Sequence, residues 1–121
     1  MKILIVDDSA SVRRLIATIV EPLASEIREC EDGEGAVSAY HAERADVVLM
    51  DIRMPAMDGI AATRQIRTFD PTAKIVIVTD YDDSQLREAS AAAGASDYTL
   101  KNSLPDLIGL LERLRGNRAL E

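Results

Sequence analysis

Tryptophan is absent from this 121-residue chain, phenylalanine occurs once and tyrosine three times. With 47% hydrophobic residues, the core must therefore be mainly aliphatic. The chain has one cysteine, Cys30, and one histidine, His41, which excludes an internal disulfide and a Cys/His metal cluster. A lone cysteine fits a reducing compartment. No segment approaches the ~20 apolar residues of a membrane span. The apolar run in the opening MKILIVDD is too short for a secretory signal. Together these features predict a soluble cytoplasmic domain with no membrane partner. Basic residues are outnumbered, 14 against 21 acidic, for a net charge of −7. That balance argues against nucleic acid as a partner of this domain and is compatible with a cation site.

The length suits one domain. Three continuous apolar runs, at 3–6, 47–50 and 75–78, read as strands buried on both faces. Two alternating segments, EIRECE at 26–31 and SDYTL at 96–100, read as edge strands. Helical spacing separates them. In 9–23, Val12, Leu15, Ile16, Ile19 and Leu23 share a face while Arg13 and Arg14 point away. In 34–43, Val37 and Tyr40 face inward and His41 lies on the helix surface. In 59–68, Ala62 and Ile66 form the inner face. Asp83 or Ser84 caps a fourth helix that stops at Gly94. In 103–114, Leu104, Leu107, Ile108, Leu111 and Leu114 form a stripe, with Pro105 in the first turn. Five strand–helix repeats imply a parallel sheet with helices on both faces. Central apolar strands with alternating edges predict the doubly wound order 2-1-3-4-5.

In that topology all parallel strands end on one rim. Asp7 and Asp8 follow the first strand, Asp51 the third, Thr79 the fourth and Lys101 the fifth. Taken alone, Asp51 is more simply a strand-ending aspartate, and helix capping would use one of Asp7 and Asp8. Capping leaves the other aspartate unexplained. Three clustered carboxylates repel one another unless a cation lies among them. Hard oxygen ligands favour Mg²⁺, with Mn²⁺ as the alternative. Thr79 and Lys101 add a hydroxyl and a positive charge, which suits a phosphoryl group with a carboxylate as nucleophile. No Gly-rich loop follows the first strand, so a nucleotide site is poorly supported.

These residues, with Tyr98 and the stretch DIRMPAMDG from Asp51 to Gly59, resemble the receiver domain of bacterial two-component response regulators. The resemblance covers residues 2 to about 115 and implies a flavodoxin-like (βα)5 fold. It implies that Asp51 accepts a phosphoryl group from a sensor histidine kinase or a histidine phosphotransfer protein. Asp8, Asp51 and the backbone carbonyl of Arg53 would bind Mg²⁺, and Asp7 would act mostly through water. Thr79 and Lys101 would contact the phosphoryl oxygens, and Thr79 and Tyr98 would form the switch. The implied role is signalling and not that of an enzyme, although the domain assists its own phosphorylation and dephosphorylation.

Departures from that pattern bear on rate. Asp80 follows Thr79 where a small residue is usual, and Asn102 follows Lys101 where proline is usual. Arg53 and Tyr81 occupy positions that the resemblance links to phosphoryl lifetime. Two rival readings are a phosphorylation-independent interaction domain and a metal-dependent phosphohydrolase. The hydrolase generally needs a second acid two residues past its nucleophile, where Arg53 stands. The expected division is a receiver domain over 1–116, with 117–121 a tail or the start of a linker to an output domain. Residues 83–114 are the expected surface for an output partner or a homodimer.

Overall fold

The computed structural model describes residues 1–120, with side chains through residue 116. The elements are β1 (Lys2–Val6), α1 (Ala10–Val20), β2 (Glu26–Cys30), α2 (Gly33–Ala42), β3 (Val47–Met50), α3 (Gly59–Phe69), β4 (Ile75–Thr79), α4 (Ser84–Ala93), β5 (Asp97–Leu100) and α5 (Asp106–Leu120). All strand pairs are parallel, in the order β2-β1-β3-β4-β5. The three apolar runs are the central strands, and the two alternating segments are the edges. This is the flavodoxin-like arrangement expected from the alternation of elements.

The period-2 geometry of a strand sends successive side chains to opposite faces. Ile3 and Ile5 join Val47, Leu49, Val76 and Val78 in one buried layer with Ile16, Val20, Leu107 and Leu111 of α1 and α5. Leu4, Val6, Val48, Met50, Ile75 and Ile77 face Ala36, Tyr40, Ala62 and Ile66 of α2 and α3. Each central strand is thus buried on both sides. That double burial is why its sequence is apolar without alternation.

Capping follows local chemistry. Ser9, Asp32, Asp58 and Asp83 are the N-caps of α1 to α4, each accepting a backbone N–H through its side chain. Gly94 ends α4 with φ 107°, a left-handed value that favours glycine.

Three expectations need correction. Leu15 is 51% exposed, and the buried α1 residues are Ile16 and Val20. One residue before Ile16 lies about 100° round the helix, off the buried stripe. Arg13 does not point away but folds back towards the end of β1. Finally, α5 begins at Asp106, after a single 3-10 turn over Lys101–Ser103. Leu104 keeps a helical conformation, but Pro105 has no N–H to bond back to the preceding turn, so the regular helix starts after it. Leu110 is buried in α5 and Ile108 only partly so. Residue 121, the last of the expected tail, lies outside the described residues, as do the side chains of 117–120.

Candidate functional site

The C-terminal ends of β1, β3, β4 and β5 bring the expected polar residues to one rim. Val6 pairs with Met50 in register, which sets Asp7 beside Asp51. Thr79 pairs with Leu100, which sets Lys101 at the same level. The backbone continues the ladder past the strands: Asp51 N–H donates to the Val6 carbonyl at 2.9 Å, and Asp7 N–H to the Cys30 carbonyl at 3.1 Å. Both side chains are oriented locally. Asp7 Oδ1 accepts the Ser9 N–H at 2.8 Å, and Asp51 Oδ1 accepts the Ile52 N–H at 2.9 Å.

One carboxylate oxygen from each of Asp7, Asp8 and Asp51 lies within 4.8 Å of the others. Asp7 and Asp51 are 1% and 5% exposed, and Asp8 is exposed. Lys101 Nζ lies 2.8 Å from Asp7 Oδ2 and 3.4 Å from Asp51 Oδ2. Burial pushes the Asp51 carboxyl up to about 6, and the neighbouring Asp7 charge adds to this against the opposing pull of Lys101. Burial alone would lower the Lys101 pKa, but the close Asp7 carboxylate and the charges of Asp51 and Asp80 outweigh it. The ammonium is therefore held above its ordinary range. Asp7 Oδ2 is buried and has no hydrogen bond among the described residues. Its charge is paired by the Lys101 ammonium at 2.8 Å.

The loop between β3 and α3 owes its shape to Pro55, Ala56 and Gly59. A Cβ on Gly59 would lie 1.8 Å from the Asp51 carbonyl oxygen, so only glycine lets α3 start this close to the acidic residue. Ala56 has φ 63°, an unusual left-handed conformation for a residue with a Cβ. On the far side of the loop, a Cβ on Gly33 would lie 2.5 Å from the Met57 carbonyl oxygen.

Thr79 is fully buried, and its Oγ1 accepts the Tyr81 N–H at 3.3 Å. The Tyr98 hydroxyl donates to the Tyr81 carbonyl at 2.6 Å. The Arg53 guanidinium lies 4.8 Å from the centroid of the Tyr81 ring, and that of Arg87 lies 4.4 Å from the Tyr98 ring. Tyr81 thus joins the residue two past Asp51 to Thr79 and Tyr98. Asp80 and Asn102 are exposed. His41 is exposed on α2, its ring 4.3 Å from that of Phe69. Sequence reading missed the role of Tyr81 as a junction and the return of Arg13 to Asp7. The aromatic residue two past Thr79 was a signal for the first, but helical periodicity carries none for the second.

The family profile of the response regulator receiver domain matches residues 3–113. The chain belongs to this family. Among similar proteins, the receiver is 34% identical over 108 residues to the chemotaxis protein CheY of Thermotoga maritima, covering 88% of this chain and 90% of that one. It is also similar to a two-component response regulator of the LuxR family from Aurantimonas sp., with a TM-score of 0.89, 34% identity, and coverage of 95% of this chain and 85% of the other. A CheX–CheY–BeF3–Mg complex from Borrelia burgdorferi matches with a TM-score of 0.77, 32% identity, and coverage of 83% of this chain and 77% of that chain. The receiver spans 41% of the length of ycf27, a probable transcriptional regulator of Guillardia theta, and 22% of the regulatory protein AtoC of Escherichia coli.

Receiver domains are signalling domains that bind Mg²⁺ in general, and the residues present here fit that ion. All three donors are hard carboxylate oxygens within 4.8 Å of one another, and the single Lys101 ammonium beside Asp7 and Asp51 balances only part of their charge. Among the described residues no helix is long and apolar enough to cross a membrane.

Proposed function

We propose that Asp51 is the acceptor of a phosphoryl group from the phosphohistidine of a sensor kinase or histidine phosphotransfer protein. An Asp51 carboxylate oxygen attacks phosphorus, the P–N bond breaks, and the histidine nitrogen leaves with the electron pair and takes up a proton. Asp8, Asp51 and the Arg53 carbonyl would hold Mg²⁺, with Asp7 acting through water. When bound, the ion supplies positive charge to the phosphoryl oxygens. Lys101 supplies a second positive charge beside Asp51, and the Thr79 hydroxyl, which accepts the Tyr81 N–H, has its own proton free to donate.

The observation that carries this reading is the convergence of Lys101 on Asp7 and Asp51 with Asp8 alongside. Burying Asp7 and Asp51 side by side costs free energy, and the exposed Asp8 adds a third like charge. The set has a chemical purpose only if a cation and a charged group meet there. The relative crystallised with BeF3 and Mg is consistent with this reading.

Phosphorylation would act on Tyr98 through Thr79 and Tyr81, altering the surface over 83–114 that meets an output partner or a second copy. In physical terms, new charge-assisted contacts bias a two-state element. Residues 1–116 are read as the receiver domain and 117–121 as a tail or the start of a linker. The hydrolase reading is weaker because Arg53, two past Asp51, is stacked on Tyr81 and is no acid.

The decisive experiment is incubation with a small phosphodonor and Mg²⁺, followed by intact mass. One phosphoryl adduct is expected in the wild type and none in Asp51→Asn. An adduct that persists in the variant would remove Asp51 from its role. No adduct in the folded wild type would favour the phosphorylation-independent interaction domain.

A further inference from the structure

The geometry points to Arg13 as a positioning residue for the metal-binding acidic cluster. It acts by fixing the Asp7–Asp8 peptide from which Asp8 projects. This inference rests on the Mg²⁺ reading above and extends it to a residue outside the cluster.

Among the described residues, Asp8 makes no side-chain hydrogen bond or ion pair, so its place near Asp7 and Asp51 is set by its backbone. That backbone has one strong external tie. Arg13 Nη1 donates to the Asp7 carbonyl at 2.6 Å, and this oxygen belongs to the peptide that joins Asp7 to Asp8. The other side of the guanidinium is braced. Arg13 Nε donates to Glu29 Oε1 at 2.9 Å, and Glu29 pairs in register with Ile5 of β1. The Arg13 side chain is only 16% exposed. A planar, charged fork held at both ends loses little freedom per bond, and a charged donor strengthens each bond. Arg13, one helical turn past the N-cap Ser9, therefore ties the β1–α1 turn to the edge strand.

Charge and position act in opposite directions here. The Arg13 guanidinium sits on the peptide that carries Asp7 and Asp8, and its positive charge opposes an incoming divalent cation, so removing its charge alone would tighten metal binding. Removing a tie that places a ligand would weaken it. The sign of the change separates the two.

The test is the Mg²⁺ affinity of the full chain by titration calorimetry, with metal-free melting measured alongside. Wild type, Arg13→Ala, Arg13→Lys and Arg14→Ala are compared at one ionic strength. Arg13→Ala is expected to bind Mg²⁺ about tenfold more weakly, the size of a lost outer-shell tie. Arg13→Lys keeps the charge but cannot serve both the Asp7 carbonyl and Glu29. It is expected to lose affinity in the same direction but by less than Arg13→Ala, and it keeps the test decisive if Arg13→Ala does not fold. Arg14→Ala, which removes an exposed charge one residue on, is expected to match or slightly exceed wild type. Unchanged or tighter binding in folded Arg13→Ala or Arg13→Lys overturns the inference, as does lower melting with unaltered affinity. A wild-type chain that binds no Mg²⁺ overturns the proposed function and this inference together.

Discussion

Asp51 is held at a cost to the fold. Its carboxyl is raised from 3.8 to about 6 by burial and then by the Asp7 charge. A raised carboxyl favours the protonated native form, so this contribution is fully present below pH 4 and is lost as pH rises through 6. Asp51→Asn is therefore expected to stabilise the metal-free protein at pH 7.5 by on the order of 1–2 kcal/mol, and by much less at pH 4.5. Urea midpoints in the presence of a chelator measure this, and a benefit that does not change with pH would contradict it. Ala56 carries a separate strain at φ 63°. Glycine relieves the Cβ clash, about 1–2 kcal/mol, but adds freedom to the unfolded chain, about 0.5–1 kcal/mol. Ala56→Gly should raise stability by about 0.5 kcal/mol net of these terms, and a loss of similar size in urea would refute it. The placement of Asp7, Asp8, Asp51, Thr79 and Lys101 was legible in the sequence because each ends or follows a strand, and parallel strands all end on one rim. Arg13 and Ala56 were not. A side chain reaching back along its own helix and a single left-handed residue leave no trace in periodicity.

At the scale of elements, two links join segments that are distant in sequence. The first ties α2 to the end of α3: the Tyr40 hydroxyl donates to Asp70 Oδ2 at 2.6 Å. That bond, foremost, lowers the Asp70 carboxyl to about 2, while burial and then the same bond push the Tyr40 phenol up to about 12. A depressed carboxyl contributes stability above its unfolded value of 3.8 and loses it as pH falls towards 2. Tyr40→Phe should cost about 1–2 kcal/mol at pH 7, with the deficit shrinking by about half at pH 3. Chemical denaturation at both pH values tests this, and a deficit independent of pH would mean that the hydroxyl's contribution does not depend on the Asp70 charge. The second link passes through Tyr81, which joins the β3–α3 loop by Arg53 stacking and β5 by the Tyr98 hydroxyl. A double-mutant cycle of Arg53→Ala and Tyr98→Phe is expected to show a coupling of about 0.5–1 kcal/mol in unfolding. Strict additivity would show that Tyr81 transmits nothing between them. Neither pairing could be read from periodicity, although the aromatic Tyr81 two past Thr79 marked the second, since both depend on loops whose paths no hydrophobic pattern records. The start of α5 was misplaced for a related reason. The leucine stripe extends back through Leu104, but Pro105 delays the regular helix to Asp106.

For the molecule as a whole, the strand order followed from one contrast in the sequence. Three strands are apolar on both faces, two alternate, and only one doubly wound order puts the alternating pair at the edges. The same order concentrates negative charge, because every strand end on the functional rim except that of β5 carries or adjoins a carboxylate. A chain of net charge −7 with three carboxylates gathered within 4.8 Å is under electrostatic strain that a cation relieves. Binding to the native state alone raises stability by RT ln(1 + [L]/Kd), about 2.7 kcal/mol when Mg²⁺ is at a hundred times its dissociation constant. For a domain of this size that corresponds to roughly 10 °C in melting temperature. Magnesium should therefore raise the melting temperature of the wild type well beyond the effect of sodium chloride at equal ionic strength. Asp8→Ala removes the exposed carboxylate of the cluster without disturbing the buried Asp7–Lys101 pair. It should keep its melting temperature in the absence of metal and lose most of the shift with Mg²⁺. An undiminished shift in Asp8→Ala would place the cation elsewhere on the acidic surface and leave Asp8 without a part in binding it.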